Sequence, residues 1–313
     1  MNSMTLTGTN SQITRPEAIN AELFAKWTAY IDATPKTVQT YSRNIKRFLS
    51  YIVEHDIKQP QREDILSYRE YLKQNYKPTT VQGYLNAVKL FFSWTAQEGI
   101  YPNVADRIKG AKLDNSHKKD YFTSSQIAKV LAAIDRTTLK GLRDYAIISV
   151  MATTGLREIS IVRADIGDLR TAGDSIALYY QGKGHEEKAA YVKIAEPVEE
   201  ALRAYLNARG ETDSKAPLFT SIAHRNTGER MTTRSVSRLA KESFIAVGLN
   251  SDRLTGHSLR HTAATLNLLN GATLEETCQL LGHTNINTTR IYAHALERAN
   301  NNSEARIAKA IFG

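Results

Sequence analysis

One cysteine, Cys278, occurs among 313 residues, so an intrachain disulfide and a multi-cysteine zinc site are both excluded. It falls in the run Thr273–Leu281, where it reads as a small buried apolar residue. Long apolar runs are missing too, and none approaches the ~20 residues that a membrane span needs. The opening stretch, Met1–Asn20, is polar and rich in Ser, Thr and Asn. It lacks the basic start and apolar middle of a secretory leader. These absences imply a protein of the reducing cytoplasm with no membrane partner. Acidic residues are in deficit, with 32 Asp and Glu against 41 Lys and Arg, a formal charge of +9. That excess permits a polyanionic partner without proving one.

What is present suffices for a real core. Hydrophobic residues make up 42% and charged residues 23%, ordinary values for a globular protein, and the length accommodates two domains. The spacing predicts four helices after a flexible tail over 1–17, the first over Ala18–Ile31 and the third over Glu63–Gln74. The second carries an apolar stripe at Val38, Tyr41, Ile45, Phe48, Leu49 and Ile52. The fourth repeats it 43 residues later at Val81, Tyr84, Val88, Phe91 and Phe92, with Thr37-Val38-Gln39 matched by Thr80-Val81-Gln82. Two similar helical hairpins are expected, forming an all-α domain over 18–101. Lys36, Thr37, Arg43, Lys46, Arg47, Lys77, Thr79, Thr80 and Lys89 flank these helices and are candidates to grip phosphates. A solvated helix face would show the same residues.

A linker over 102–122 follows, with Pro102, Gly110 and the basic cluster His117-Lys118-Lys119. The remainder, 123–313, reads as a helix-rich domain with one small sheet. Thr123-Ser124-Ser125-Gln126 caps a helix ending near Ile134, and Tyr145–Ala152 is a strongly apolar segment. Alternation at Ser175–Tyr180 and Ala190–Ile194 predicts two strands around a turn at Gln181-Gly182-Lys183-Gly184. Helices are expected over Pro197–Ala208, Thr233–Val247, Ser258–Leu269, Thr273–Leu281 and Thr288–His294, with a tail helix over Glu304–Ile311 in the segment from about 296. The class is mainly α with a small β-sheet.

Several residues have chemical potential. His257 stands where a helix begins and Arg260 three residues on, so both share one face beside a helix N-terminus, a natural phosphate site. Gly282 breaks the helix before His283, and Tyr292 comes nine residues later. A phenol is a poor nucleophile at its ordinary pKa, but two guanidinium groups would favour its ionised form. Arg157 follows Thr153-Thr154-Gly155 at the end of the apolar helix, where an unpaired guanidinium is costly to bury. Lys183 sits on its glycine-flanked turn with the reach of a loop acid, and Lys188 lies just beyond. His257 and His261, four apart, have no Cys or acidic third ligand at a fitting spacing, so no metal is called for. Gly182-Lys183-Gly184 lacks the longer spacing of a nucleotide loop. No cofactor is expected.

Arg157, Lys183, His257, Arg260, His283 and Tyr292 occur in the order of the active-site set of the tyrosine recombinases, the phage integrase family. His257-Ser258-Leu259-Arg260-His261-Thr262 resembles that family's second arginine box. Leu281-Gly282-His283 through Tyr292-Ala293-His294 resembles its nucleophile box, and Gly182-Lys183-Gly184 its β-hairpin lysine. The resemblance spans about Thr123 to His294, after a helical DNA-clamp domain. One departure stands out: the first box usually carries Glu three residues after its arginine, whereas Ser160 is there and Glu158 adjoins Arg157. A further one is Tyr191, where the hairpin strand often ends on proline.

The resemblance implies a catalytic α+β domain and a reaction without metal or ATP. Arg157 and Arg260 would hold the scissile phosphate, and Tyr292 would attack to leave a 3′-phosphotyrosine. Lys183 would protonate the leaving 5′ oxygen, His257 would act as acid–base partner, and His283 would donate to the phosphate. It also implies double-stranded DNA with a specific core site as substrate, a homotetramer on paired sites exchanging strands through a Holliday junction, and an accessory directionality factor. Rival readings are a silent DNA-binding regulator on this fold, a topoisomerase or hairpin resolvase with the same tyrosine chemistry, and a metal-dependent nuclease.

Overall fold

The computed structural model describes residues 4–6, 17–19, 21–112, 120–182, 187–299 and 301–313. Two compact units divide the chain, Met1–Ser116 and His117–Gly313.

In the first unit, β1 (Met4–Leu6) pairs antiparallel with β2 (Glu17–Ile19), so part of the expected flexible tail is a two-stranded ribbon. Three residues a strand leave too little alternation to read from sequence. Four helices follow: α1 (Ala21–Tyr30), α2 (Pro35–Glu54), α3 (Arg62–Asn75) and α4 (Pro78–Gln97). The internal repeat is real in three dimensions. Helices α2 and α4 are each 20 residues long, begin on a proline and lie 43 residues apart. Proline suits that position because its missing N–H has no partner there anyway. The pair packs together, with the Asn44 side-chain amide donating to the Gly83 carbonyl at 3.0 Å. Phe48 of α2 meets Tyr68 of α3 and Phe92 of α4 edge-on, with ring centroids 5.1 and 5.8 Å away. Such edge-to-face packing is favoured by the rings' quadrupoles.

The expected linker begins later than its sequence implies. Tyr101, Ala105 and Ile108 are buried in the first unit's core, and the Tyr101 hydroxyl donates to the Pro60 carbonyl at 3.0 Å. Arg62 and Arg69 of α3 donate to the carbonyls of Asp106 and Lys109. Proline and glycine in this stretch mark turns, not looseness. His117, Lys118 and Lys119 lie outside the described residues.

The second unit is built around α6 (Leu139–Thr154), whose Ile147, Ile148 and Val150 are fully buried. A side chain hydrophobic all round a helix demands neighbours on every side. They are α5 (Ser124–Ala132), α7 (Glu158–Arg163), α8 (Glu196–Arg209), α9 (Thr233–Ala246) and α10 (Gly256–Leu269). The sheet has three antiparallel strands in the order β3 (Leu169–Ala172), β4 (Ser175–Tyr180) and β5 (Ala190–Lys193). Sequence reading misses β3 because four residues with two polar side chains show no alternation. Tyr180 pairs with Ala190, so β4 and β5 meet at the ends where the two expected strands do.

Three helices close the chain: α11 (Leu274–Leu281), α12 (Asn287–Ala299) and α13 (Ser303–Phe312). Helix α12 runs well past the short segment expected around Tyr292, and α13 covers the expected tail helix. Among the described residues, no helix is long and apolar enough to cross a membrane.

Candidate active site

The site grows from α10. Thr255 and Ser258 form a capping box at its start, with the Thr255 amide donating to Ser258 Oγ at 3.0 Å. Deeper in the helix, the Thr262 hydroxyl donates to the Ser258 carbonyl at 2.8 Å and accepts the Phe122 amide at 2.9 Å. Those bonds fix one face against the core. On the same helix Arg260 is only 3% exposed, yet among the described residues its guanidinium pairs with no carboxylate. Main chain holds it instead: Nη1 donates to the Gly155 carbonyl at 2.6 Å and Nη2 to the Leu281 carbonyl at 2.7 Å. A third bond, 2.8 Å, reaches His283 Nε2. Among the described residues, three of its five N–H donors are thereby used. Burial and the nearby Arg157 push Arg260 down to about 10, so it stays charged at neutral pH.

Gly155 makes this lock possible. It ends α6 in the left-handed conformation at φ +66°, which glycine adopts without strain. A Cβ there would fall 2.6 Å from Leu281 Cδ2 and 3.2 Å from Ala263 Cβ. The residue therefore caps one helix, lets α10 and α11 approach it, and presents its carbonyl to Arg260.

Gly282 plays a matching part after α11, with φ +60°. A Cβ on it would lie 2.6 Å from the Tyr180 hydroxyl, so the end of the central strand β4 touches the turn into His283. His283 then sits between Arg260 and Thr289, whose Oγ1 is 2.8 Å from Nδ1. Arg260 has only donors, so Nε2 accepts and Nδ1–H donates to Thr289. Burial first, then the charges of Arg260, Arg157 and His257, push the imidazole down to about 4. It is neutral at pH 7. Both ring nitrogens are engaged, so donating to a phosphate requires exchange of one of these bonds. Thr289, wholly buried in the first turn of α12, was missed in the sequence because hydroxyls abound there.

Tyr292 is 4% exposed and packs with Ala264, Leu268 and Leu281. The His261 ring lies 5.3 Å from it and 4.8 Å from the His257 ring, so the three rings form one row. Burial raises the phenol above its ordinary pKa, against the opposing pull of Arg260 and Arg157. The two guanidinium groups thus act on Tyr292 as expected, but burial outweighs them.

Arg157 caps the start of α7 and is half-buried. Its charge reaches Arg260, His283 and Tyr292, yet its guanidinium makes no hydrogen bond or ion pair among the described residues. Neighbouring Glu158 does not take over the missing glutamate's place. Its Oε1 accepts from the Ser237 hydroxyl at 2.7 Å and lies where a Cβ on Gly256 would be, 2.3 Å away. Ser160 is buried.

Lys183 lies outside the described residues. Lys188 is sequestered by Asp165 and Asp168, 2.6 Å from the former, which removes it from the candidate acids. Among the described residues, no group of three or more His, Cys, Asp or Glu gathers to hold a metal. In the first unit Lys36 and Thr37 line a groove of about 330 Å³ between α2 and α4, and Arg43 and Lys46 line another on α2. Lys77, Thr79 and Thr80 are exposed and Lys89 half-buried. Arg47 is half-buried and donates to the Tyr71 hydroxyl at 2.5 Å.

Residues 120–298 match the phage integrase family, and residues 23–100 match the phage integrase N-terminal SAM-like domain. The chain belongs to the phage integrase family. It is 31% identical to tyrosine recombinase XerC of Herpetosiphon aurantiacus over 83% of its own length and 85% of that protein's. To tyrosine recombinase XerD of Listeria innocua it is 28% identical, over 82% and 87%. Among solved structures, it resembles XerH site-specific recombinase bound to its difH substrate, with a TM-score of 0.70 at 21% identity, covering 84% of this chain and 78% of that one. A lambda integrase tetramer bound to a Holliday junction gives a TM-score of 0.66 at 18% identity, covering 87% and 76%. The protein is thus a tyrosine recombinase, an enzyme of DNA recombination. The gathered groups suit phosphoryl transfer, with two cations for non-bridging oxygens, a phenol for attack and imidazoles for proton movement.

Proposed function

We propose that the chain cuts and rejoins double-stranded DNA at a specific core site, with Tyr292 attacking a phosphate held by Arg157 and Arg260. The observation that carries this is the convergence of both guanidinium charges on one buried phenol. The Tyr292–phosphorus bond forms as the bond to the 5′ oxygen breaks, leaving a 3′-phosphotyrosine and a 5′-hydroxyl. Lys183 protonates that oxygen, and His257 accepts and returns the phenolic proton. The covalent bond keeps the phosphodiester energy, so a second 5′-hydroxyl reverses the step on another strand.

Four copies on paired sites, working through a Holliday junction, perform integration, excision or resolution of DNA elements in the cytoplasm, with an accessory factor setting direction. Within the first unit, the helical segment 18–101 grips core-site phosphates through Lys36, Thr37, Arg43, Lys46, Arg47, Lys77, Thr79, Thr80 and Lys89. The segment 123–313 does the chemistry. Helix α13 bears Ile307, Ile311 and Phe312 exposed at 58, 66 and 84%, apolar surface that a neighbouring copy would cover.

The test is capture of covalent protein–DNA adducts on nicked suicide duplexes. The wild-type chain should trap DNA, and Tyr292→Phe should trap none. Adducts persisting in that variant would remove Tyr292 as nucleophile, and adducts absent from both would favour a silent DNA-binding regulator. Product topology on one- and two-site plasmids separates recombination from relaxation.

A further inference from the structure

One face of α10 carries His257, His261, Ala264 and Leu268, whose spacing of four, three and four makes a single stripe along the helix. The stripe enters the interior after its first turn. His257 is exposed, whereas His261 is 6% exposed and Ala264 is fully buried. Tyr292 of α12 lies along this stripe. Its side chain packs with Ala264, Leu268 and Leu281 of α11, and its ring centroid is 5.3 Å from that of His261, at an interplanar angle of 58°. The His257 and His261 rings meet edge to face, 4.8 Å apart and at 90°. His261 is thus a buried titratable side chain set against the nucleophile, with no share in the proposed proton and phosphate steps.

Side-chain size explains what the stripe does to the phenol. Ala264 contributes one methyl and leaves a recess in the helix face, with His261 on its N-terminal side and Leu268 on its C-terminal side. A tyrosine has two side-chain torsions, and walls on both sides of its ring restrict them. The His261 wall is itself firmly based, because both of its chain neighbours are anchored. Arg260 is bound to the Gly155 and Leu281 carbonyls. Thr262 donates to the Ser258 carbonyl at 2.8 Å and accepts the Phe122 amide at 2.9 Å. Attack on phosphorus needs the two reacting atoms about 3–3.5 Å apart and aligned, and a misplacement of about 1 Å can cost a hundred-fold in rate.

We infer that His261 is a positioning residue for Tyr292, its ring fixing where the phenol oxygen stands relative to the phosphate. The inference rests on Tyr292 being the nucleophile. The contact is ring against ring, so shape carries it and the imidazole nitrogens do not. In the step, the Tyr292 oxygen bonds to phosphorus as the electrons of the P–O5′ bond pass to the leaving oxygen. His261 gives and takes no proton.

The experiment uses the full chain and nicked duplexes bearing the site recovered from wild-type adducts. His261→Ala should form covalent adducts about 10- to 100-fold more slowly than wild type. Its affinity for an intact duplex of the same site should stay within a factor of about two, since the fault lies in the attack and not in binding. His261→Phe keeps a ring against Tyr292 and loses both nitrogens. It should come within about three-fold of the wild-type rate, with an unchanged pH–rate profile. Where denaturation shows the alanine variant to be unfolded, His261→Leu, apolar and ringless, takes its place and should be slowed likewise. Equal slowing of His261→Phe and the ringless variant overturns the inference in favour of proton transfer through the imidazole. Undiminished cleavage by the ringless variant overturns it outright. Adducts formed by Tyr292→Phe would instead remove the nucleophile and the underlying reading, whatever the His261 variants do.

Discussion

The two arginines at this site are held in opposite ways. Arg260 is enclosed and spends three donors on the carbonyls of Gly155 and Leu281 and on His283, so its geometry is complete before any phosphate arrives. Arg157 stands a short distance away with no side-chain partner among the described residues, on a helix that also anchors the sheet connection. One side of the site is built by the fold, and on the proposed reading the other is completed by the substrate. Preorganised donors supply much of the electrostatic stabilisation of a transition state. Leaving one cation unpaired keeps the pocket short of negative charge until a phosphate brings it.

That contrast can be broken by measuring activity and stability together. Removing either guanidinium should slow cleavage by roughly 10²–10³-fold, the usual cost of losing one transition-state donor. Their stabilities should separate. Arg260→Ala leaves two buried carbonyls unsatisfied and should cost ~2–4 kcal/mol in chemical denaturation. Arg157→Ala should change stability by less than ~0.5 kcal/mol. Equal losses of stability would end the comparison.

Gly155→Ala probes the built side through its backbone. It puts a Cβ into the left-handed region and 2.6 Å from Leu281, so ~2–4 kcal/mol should be lost from strain and overpacking. Arg260 should lose its acceptor geometry, and cleavage should fall with stability.

A pH titration sharpens the same point. His283, pushed down to about 4, is uncharged in the folded protein while the unfolded chain protonates it near 6.5. Its folded pKa is depressed, so its contribution to stability is full above pH 6.5 and is lost as pH falls toward 4. Denaturation midpoints should drop across that window. His283→Asn should flatten the drop; an unchanged slope would mean that burial and the neighbouring cations do not hold the imidazole neutral.

The smallest effect belongs to a third region, which neither side holds. Every residue of α13 except the half-exposed Ser303 is exposed, so truncation after Ala299 should alter the stability of a single copy by under ~0.5 kcal/mol. Assembly of copies on paired DNA sites should weaken, with binding to one isolated site retained, as gel shifts would report.

Much of the substrate-facing chemistry could be read from order and spacing alone. Arg157, His257, Arg260, His283 and Tyr292 follow one another at intervals that fit a known box pattern, and the structure gathers all five. The clamp that holds them was not readable. Arg260 is bound by carbonyls, and every residue has one; only its direction matters, and sequence does not encode that. The repeat between α2 and α4 was visible because identical side chains recur at a fixed offset. The burial of Tyr101, Ala105 and Ile108 was not, because prolines and glycines nearby mimic a loose connection. Strand β3 was too short and polar to announce itself, and Lys188 looked like an acid until Asp165 and Asp168 were brought beside it.

Gly155 offers a last consequence, in the language of inheritance. Its carbonyl, 2.6 Å from the Arg260 guanidinium, is made of atoms that every amino acid carries. No codon change can delete that oxygen; substitution reaches it only by altering the backbone turn that aims it. The acceptor is therefore exposed to mutation only through the turn that carries it and the packing around that turn, never through a side chain of its own.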